Sequence, residues 1–431
     1  MNFDNARSIA VNHIGERAAV PVLVSNANWS VYVGPFSTFS DAEWAASQLG
    51  GTAIPPNPAR IAITDSGTPV VLFDNVWGTA QFADPSGITA IDSGRYRGVI
   101  EPFIRNGIFT AVNIINIEDY LLSVVPSEMP AVWHIEALKA QAVAARTYAL
   151  TRLYIRLEDG FNLCDTVQTQ VYRGVEVEHE NSTRAVQETR GIMAFHNGYL
   201  INAVYFSSSG GHTENSENVW TNSVPYLRGV REIFETEYMQ WSRSFTLQQL
   251  THFMAQNGHN IGTVTAVRYR HAPASNRVIE LTFVGTNGSV TYNNDAIRRA
   301  FRHSADGNLQ STNFIINNIQ TANVAPPVPV IQGYVQDGYI NVVDVNGVTR
   351  RVAVSDISSI FGGNALIKQY TVPPAVPAPV QTTVTSPSIV INGRGWGHGA
   401  GMSQFGARGM AEAGFTFRQI LQHYYTDIEV R

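Results

Sequence analysis

The sequence predicts an α+β protein of several domains: a β-rich N-terminal part, a helix-containing core closed by a C-terminal glycine-rich loop, and an inserted smaller α/β domain followed by a β meander. Three observations predict it. Short apolar runs broken by Gly, Pro, Asp and Asn fill residues 54–124, the pattern of consecutive strands. An alanine-rich stretch with helical periodicity follows, from about Ile135 to Leu157. Proline-rich stretches at 325–329 and 372–379 then break the chain as extended linkers do. With 431 residues and 44% apolar content, two or three buried cores are affordable. The boundaries read as 1–75, 76–240 together with 389–431, 241–318, and 319–388.

Taken in order, Trp29–Gly34 alternates like a strand, and Ser40-Asp41-Ala42-Glu43 reads as a capping box opening a helix through Leu49. Ile61–Ile63, Val70–Phe73 and Phe109–Ile117 read as strands. Pro126 and Pro130 stiffen the segment Val125-Pro126-Ser127-Glu128-Met129-Pro130, so Glu128 is expected on a short constrained loop before the next helix. On that helix Leu138, Ala142, Ala145, Ala149 and Leu153 form one stripe, and the alanines permit close approach of a neighbour. Lys139 and Arg146, two turns apart, form either a cationic face towards a cleft or a solvated flank. In 241–318 a helix near Leu247–Gln256, strands at Val264–Tyr269 and Val278–Val284, and a helix from Asp295 to Phe301 are expected. Asp337-Gly338 and Asn346-Gly347 mark hairpins in the meander.

Charge and composition exclude several functions. A net charge of −5 with no Lys or Arg run offers nucleic acid no partner surface. Cys164 is the only cysteine, so neither an intrachain disulfide nor a multi-thiolate metal site can form. Lys139 and Lys368 are the only lysines, and the abundance of Asn, Thr, Ser and Gln suits an extracytoplasmic surface, cell-wall associated or secreted. Met1–Asn5 lacks the start of a signal peptide, and no apolar run is long enough to span a bilayer.

Two glycine-bearing motifs carry candidate chemistry. Tyr205-Phe206-Ser207-Ser208-Ser209-Gly210-Gly211-His212 follows a strand-like run and is expected to present hydroxyls and an imidazole to a polyol. It lacks the Gly-x-Ser-x-Gly elbow of a serine hydrolase. Gly393–Gly406 opens with nine residues in which glycine alternates with Arg394, Trp396, His398 and Ala400; this is either a ligand loop, with Trp396 stacking on a sugar, or a structural turn. It matches no dinucleotide or phosphate loop. His196, His212 and His398 lack metal-ligand spacing, so no catalytic metal and no cofactor are expected.

Together Glu118-Asp119-Tyr120-Leu121, Val125–Pro130, Glu136–Ala149, Ser207–His212 and Gly393–Ala407 resemble the stage II sporulation protein D family, related to the amidase-enhancer proteins, over about residues 94–318 and 389–431. The resemblance implies a peptidoglycan lytic transglycosylase acting on glycan strands without stem peptides, with Glu128 catalytic. It also implies that Lys139, Arg146, Tyr148, Tyr172, Tyr205, Ser207, Ser208, Ser209, His212, Trp396, His398 and Gln404 contact the glycan. A cell-wall amidase is the implied protein partner. Residues 28–50 resemble part of a sporulation-related repeat, a glycan-binding module. Some relatives carry a Cys and His cluster near Cys164; here Thr169 and Gln170 stand where further ligands would be needed, and the zinc is left out.

The chemistry then asks Glu128 to start protonated, its pKa raised by desolvation, and to donate to the leaving oxygen between N-acetylmuramic acid and N-acetylglucosamine. The C6 hydroxyl of the same sugar closes on the oxocarbenium centre as Glu128 takes back a proton, giving a 1,6-anhydro end. A tethered nucleophile makes a second carboxylate unnecessary. Lys139 and Arg146 are expected on substrate oxygens, the lactyl carboxylate included. Hydrolysis by a pair drawn from Glu118, Asp119 and Glu136, a non-catalytic enhancer of an amidase, and a wall-anchored scaffold are the alternatives.

Overall fold

The apolar runs do form paired strands in the computed structural model, which describes residues 1–12, 19–25, 28–57, 60–65, 68–74, 81–105, 107–235, 239–318, 339–343, 349–353, 381–384 and 387–431. The architecture is α+β, with sheets and helices in two compact units. The first unit comprises Met1–Ser123, Ile155–Cys164 and Tyr172–Val177, and the second Val124–Tyr154, Asp165–Val171 and Glu178–Arg431.

In the first unit a four-stranded sheet runs in the order Asn28–Val33, Ala19–Ser25, Thr68–Phe73, Ile61–Asp65. Its central pair is parallel and its outer pairs antiparallel. Leu23 and Phe73 anchor a small core with Trp29, Ile61, Ile63, Val71 and Phe82. The Phe39–Leu49 helix starts two residues earlier than the Ser40 capping box implies. Thr38 is its N-cap, its hydroxyl accepting from Asp41 N–H at 3.1 Å. Two further hairpins, Ile88–Ile91 with Gly94–Arg97 and Val99–Arg105 with Ile108–Ile114, complete the β-rich part.

The largest departure from the sequence reading lies at Glu128, which ends a helix, Ile117–Glu128, instead of sitting on a loop. Pro126 lies inside its last turn. A proline there forgoes only one amide hydrogen bond, while buried Leu121, Val124 and Val125 keep the helix packed and Met129 N–H still reaches Val125 O at 2.9 Å.

The second unit is built round the helix Ile135–Thr151, which ends six residues before the expected limit. Its N-cap is His134, whose ring accepts from Glu136 N–H. Burial is not confined to one stripe: Ala137, Leu138, Ala140, Gln141, Ala142, Val143, Ala144, Ala145, Thr147 and Ala149 are all covered. Small side chains let the helices Glu180–Glu188, Gln404–Glu412 and Phe417–Tyr424 pack on several sides of it.

Residues 240–318 contribute two antiparallel sheets. One has the order Gly288–Asn293, Val278–Gly285, Val264–His271, Gln381–Val384. The other places Ser388–Arg394 between Gln240–Thr246 and Phe314–Asn318. Strands from both sides of residue 380 thus share one core, with Leu250, Val267, Leu281, Phe283, Ile297, Phe301, Phe314, Ile389 and Ile391 at its centre. A capping box, Thr246 with Gln249, opens the helix Leu247–Gln256; the second helix is shorter than expected, Ala296–Arg299. Within the expected meander, Tyr339–Val343 pairs antiparallel with Thr349–Ala353. The proline-rich stretches, Asp337-Gly338 and Asn346-Gly347 lie outside the described residues.

Candidate active site

Glu128 is held by three segments of the second unit that the sequence places far apart. Its Oε1 accepts the Val171 amide N–H at 2.9 Å. The Tyr205 hydroxyl is its second hydrogen-bond partner. Behind, Gln170 Nε2 donates to the Tyr205 hydroxyl at 3.0 Å and to Ala145 O at 3.3 Å. Because that hydroxyl accepts from Gln170, its own proton is directed to the Glu128 carboxyl. Gln404 Nε2 meanwhile donates to the Glu128 main-chain carbonyl at 2.8 Å and faces Gln141 Oε1 at 3.5 Å.

Electrostatically the site favours a proton on Glu128. Burial raises its pKa above the ordinary carboxylate range, while the Val171 and Tyr205 hydrogen bonds work in the opposite direction without cancelling it. A carboxyl whose burial favours the protonated form, yet which has two donors ready for its anion, is equipped both to give a proton and to take one back.

Of the other residues singled out in the sequence, Tyr205 and Gln404 meet Glu128, and Tyr148 stands edge-on to Tyr205 with ring centroids 6.4 Å apart. Trp396 is 48% exposed, leaving its indole open to a flat apolar face. Tyr172 belongs to the first unit, where it stacks on Tyr120 at 5.2 Å and donates to Asn113 Oδ1.

The remaining assignments need correction. Arg146 is not on a cationic face: it is buried, and its guanidinium donates to the main-chain carbonyls of Ile192 (3.0 Å) and Val186 (3.5 Å). Lys139 bridges Glu136 at 2.9 Å and Glu188 at 2.6 Å. Partial desolvation pulls its pKa down, and the two carboxylates more than reverse this, so it stays firmly charged and already neutralised. Neither cation is left for a lactyl carboxylate. Glu136 is engaged likewise, accepting also from Phe417 N–H at 2.8 Å.

Ser208 and Ser209 do not present hydroxyls outward. Both are fully buried and donate to Glu235, which also accepts Ser209 N–H at 2.9 Å. Only Ser207 of the three is not buried, and its Oγ lies 3.7 Å from Met239 Sδ. His212 faces Thr213 O at 2.6 Å, and burial lowers its pKa. His398 packs between Phe206 and Trp220, and burial pushes its pKa down to about 4, so it is neutral at physiological pH.

The glycine-rich loop is likewise turned inward. Gly395 N–H donates to Met239 O at 2.7 Å, Gly397 N–H to Gln310 O at 2.9 Å, and Ala400 N–H to the His398 ring at 3.2 Å. Its alternating glycines are required by close approach: at Gly401, where φ is +78°, a Cβ would stand 2.1 Å from Val204 O. Gln141, Glu235 and Gln170 in its role at Tyr205 escape the sequence reading. Gln141 carried a signal, being the one amide among buried alanines; its Nε2 is buried without a hydrogen-bond partner among the described residues. Among the described residues no group of three or more His, Cys, Asp or Glu side chains converges as metal ligands, and no helix is long and apolar enough to cross a membrane.

Comparison with known proteins adds an independent line. A family model described as stage II sporulation protein (SpoIID) matches residues 105–196, and one described as a domain of unknown function (DUF8618) matches residues 215–338. The chain is 31% identical over 308 residues to an amidase enhancer of Bacillus subtilis (strain 168), covering 71% of this chain but 39% of that longer protein. It is 29% identical over 339 residues to an uncharacterized protein of Brachyspira hyodysenteriae, covering 78% and 72% of the two. To the stage II sporulation protein D of Bacillus subtilis it is 27% identical over 335 residues, covering 74% and 76%.

Proposed function

The chain belongs to the stage II sporulation protein D family, which includes amidase-enhancer relatives, and from that premise we propose that it cleaves peptidoglycan glycan strands lacking stem peptides, as a lytic transglycosylase with Glu128 as acid and then base. The observation that supports this is the Glu128 carboxyl itself, partly buried, raised in pKa, and tied to Val171 N–H and the Tyr205 hydroxyl.

Glu128 donates its proton to the glycosidic oxygen, and the bond from that oxygen to the anomeric carbon of N-acetylmuramic acid breaks. The C6 hydroxyl oxygen of the same residue then bonds to the anomeric carbon and loses its proton to the Glu128 carboxylate. The enzyme returns to its starting state, and a 1,6-anhydro end forms without water. Trp396 supports an adjoining sugar by stacking. The wall substrate puts the protein outside the cytoplasm. Residues 28–50 are a second glycan contact; Trp44, 65% exposed on the Phe39–Leu49 helix, is the side chain that supports this.

Digestion of peptide-free strands by wild-type and Glu128→Gln protein, with end groups identified by mass spectrometry, is the test. Anhydro ends from wild type alone are expected. Reducing ends, or equal cutting by the variant, would refute the assignment.

The relative named amidase enhancer supports a second reading, a cell-wall-binding protein that stimulates an N-acetylmuramoyl-L-alanine amidase. In that case Glu128→Gln leaves stimulation of the amidase intact and wild type leaves purified strands uncut.

A further inference from the structure

The segment matching a domain of unknown function packs its own side chains against both glycine-bearing loops of the second unit. Arg277, immediately before the core strand Val278–Gly285 in that segment, is fully buried. Its Nη2 donates to Ser209 O at 2.7 Å and its Nε approaches His212 O at 3.5 Å. Gly399 lies flat against the guanidinium: a Cβ there, at φ +92°, would stand 2.5 Å from Arg277 Cζ. One side chain thus touches both loops at once.

The same segment makes further contacts with the loops. Asn313 accepts Arg394 N–H at 2.9 Å and donates through Nδ2 to Gly210 O at 3.2 Å. Ser311 Oγ donates to Arg394 O at 2.6 Å, and Gln310 O accepts Gly397 N–H. Trp220 covers His398, with ring centroids 5.2 Å apart. Glu235 ties Ser208 and Ser209 to the main body and lies 3.5 Å from Ser403 Oγ.

We propose that the segment from Glu214 to Asn313 is the mould that shapes the Ser207–His212 and Gly393–Gln404 loops, with Arg277 as its positioning residue. The proposal rests on the reading above that Glu128 is the acid, held by Tyr205 and Gln404, and that Trp396 supports a sugar beside it.

Three features argue for positioning over simple packing. Arg277 Nη1 is buried with no hydrogen-bond partner among the described residues, an arrangement that an apolar side chain of similar length would avoid. Its bonds go to loop carbonyls and not to its own sheet's side chains. And the loops it joins end in Tyr205 and Gln404: the strand Tyr205–Phe206 pairs in parallel with Met402–Ser403, so one shared frame sets the two groups that touch Glu128. The charge is balanced inside the protein by Glu214 and Glu235.

The test is hydrogen exchange, read by mass spectrometry on the full chain, for wild type, Arg277→Met and Arg277→Lys. In Arg277→Met, peptides covering 205–212 and 395–403 should exchange about tenfold faster while the strand peptide 278–284 stays as in wild type. Arg277→Lys, keeping one donor and the charge, should recover part of the protection. With peptide-free glycan strands as substrate, KM for Arg277→Met should rise about fivefold, a change that a smaller folded fraction does not produce. Unchanged loop exchange, or a rise shared equally by 278–284, would overturn the proposal. If wild type cuts no strands, the enzymatic reading falls, and the exchange pattern still decides the role of Arg277.

Discussion

Replacing Tyr205 by Phe is the sharpest probe of how Glu128 holds its proton. The substitution removes one hydroxyl and leaves the ring, so Tyr148 keeps its edge contact at 6.4 Å and Gln170 keeps Ala145 O at 3.3 Å. The Glu128 anion then keeps the Val171 amide at 2.9 Å and loses the Tyr205 hydroxyl. A hydrogen bond to a charged group contributes about 1.5–3 kcal/mol, and about 1.4 kcal/mol corresponds to one pK unit. Because the lost bond favoured the anion, the Glu128 pKa should climb by roughly one to two units. A general acid fails as pH rises through its pKa, so the alkaline limb of kcat/KM on peptide-free strands should move upward by that amount. The carbon-13 shift of the Glu128 carboxyl, assigned through Glu128→Gln, gives the same quantity without turnover. An alkaline limb that stays fixed or moves down would refute the account of the site.

Three other outcomes are expected. Glu232, buried against Tyr424, has its pKa raised from 4.5 to about 7 by burial, so the stability it favours is present below about pH 4.5 and is lost as pH rises through 7; thermal melts should show wild type losing roughly 3 kcal/mol relative to Glu232→Gln across that window. Gly406→Ala places a methyl 2.0 Å from both Glu232 Oε2 and the Tyr424 hydroxyl, and should cost about 1–3 kcal/mol in denaturant unfolding. Arg146→Leu takes the guanidinium from the Ile192 carbonyl, while Val186 O keeps Thr189 as a donor, so it should cost about 1–3 kcal/mol of stability while kcat/KM per folded molecule holds; a specific rise in KM would restore Arg146 to the substrate.

What the sequence made legible follows from the range of the forces involved. The β-rich start, the alanine helix and the Leu247–Gln256 helix are written in local periodicity and capping residues. Glu128 stood out because prolines flank it, although the same prolines suggested a loop where packing of Leu121, Val124 and Val125 sustains a helix. Ser208 and Ser209 looked like ligand donors because nothing nearby in sequence claims them; their acceptor, Glu235, lies 26 residues from Ser209. Arg146 and Lys139 share a helix line, but one is drawn inward by main-chain carbonyls and the other is held by Glu136 on its own helix and Glu188 on a neighbouring one. Arg277 meets Ser209 across 68 residues, and no local pattern encodes such a meeting.

The bond from Gln404 to the Glu128 carbonyl spans 276 positions. A ribosome that has just added Glu128 must therefore add 276 further residues before that side chain can dock, and closing so wide a loop is slow by its topology. A nascent or prematurely stopped chain that lacks Gln404 carries Glu128 without the clasp that sets it.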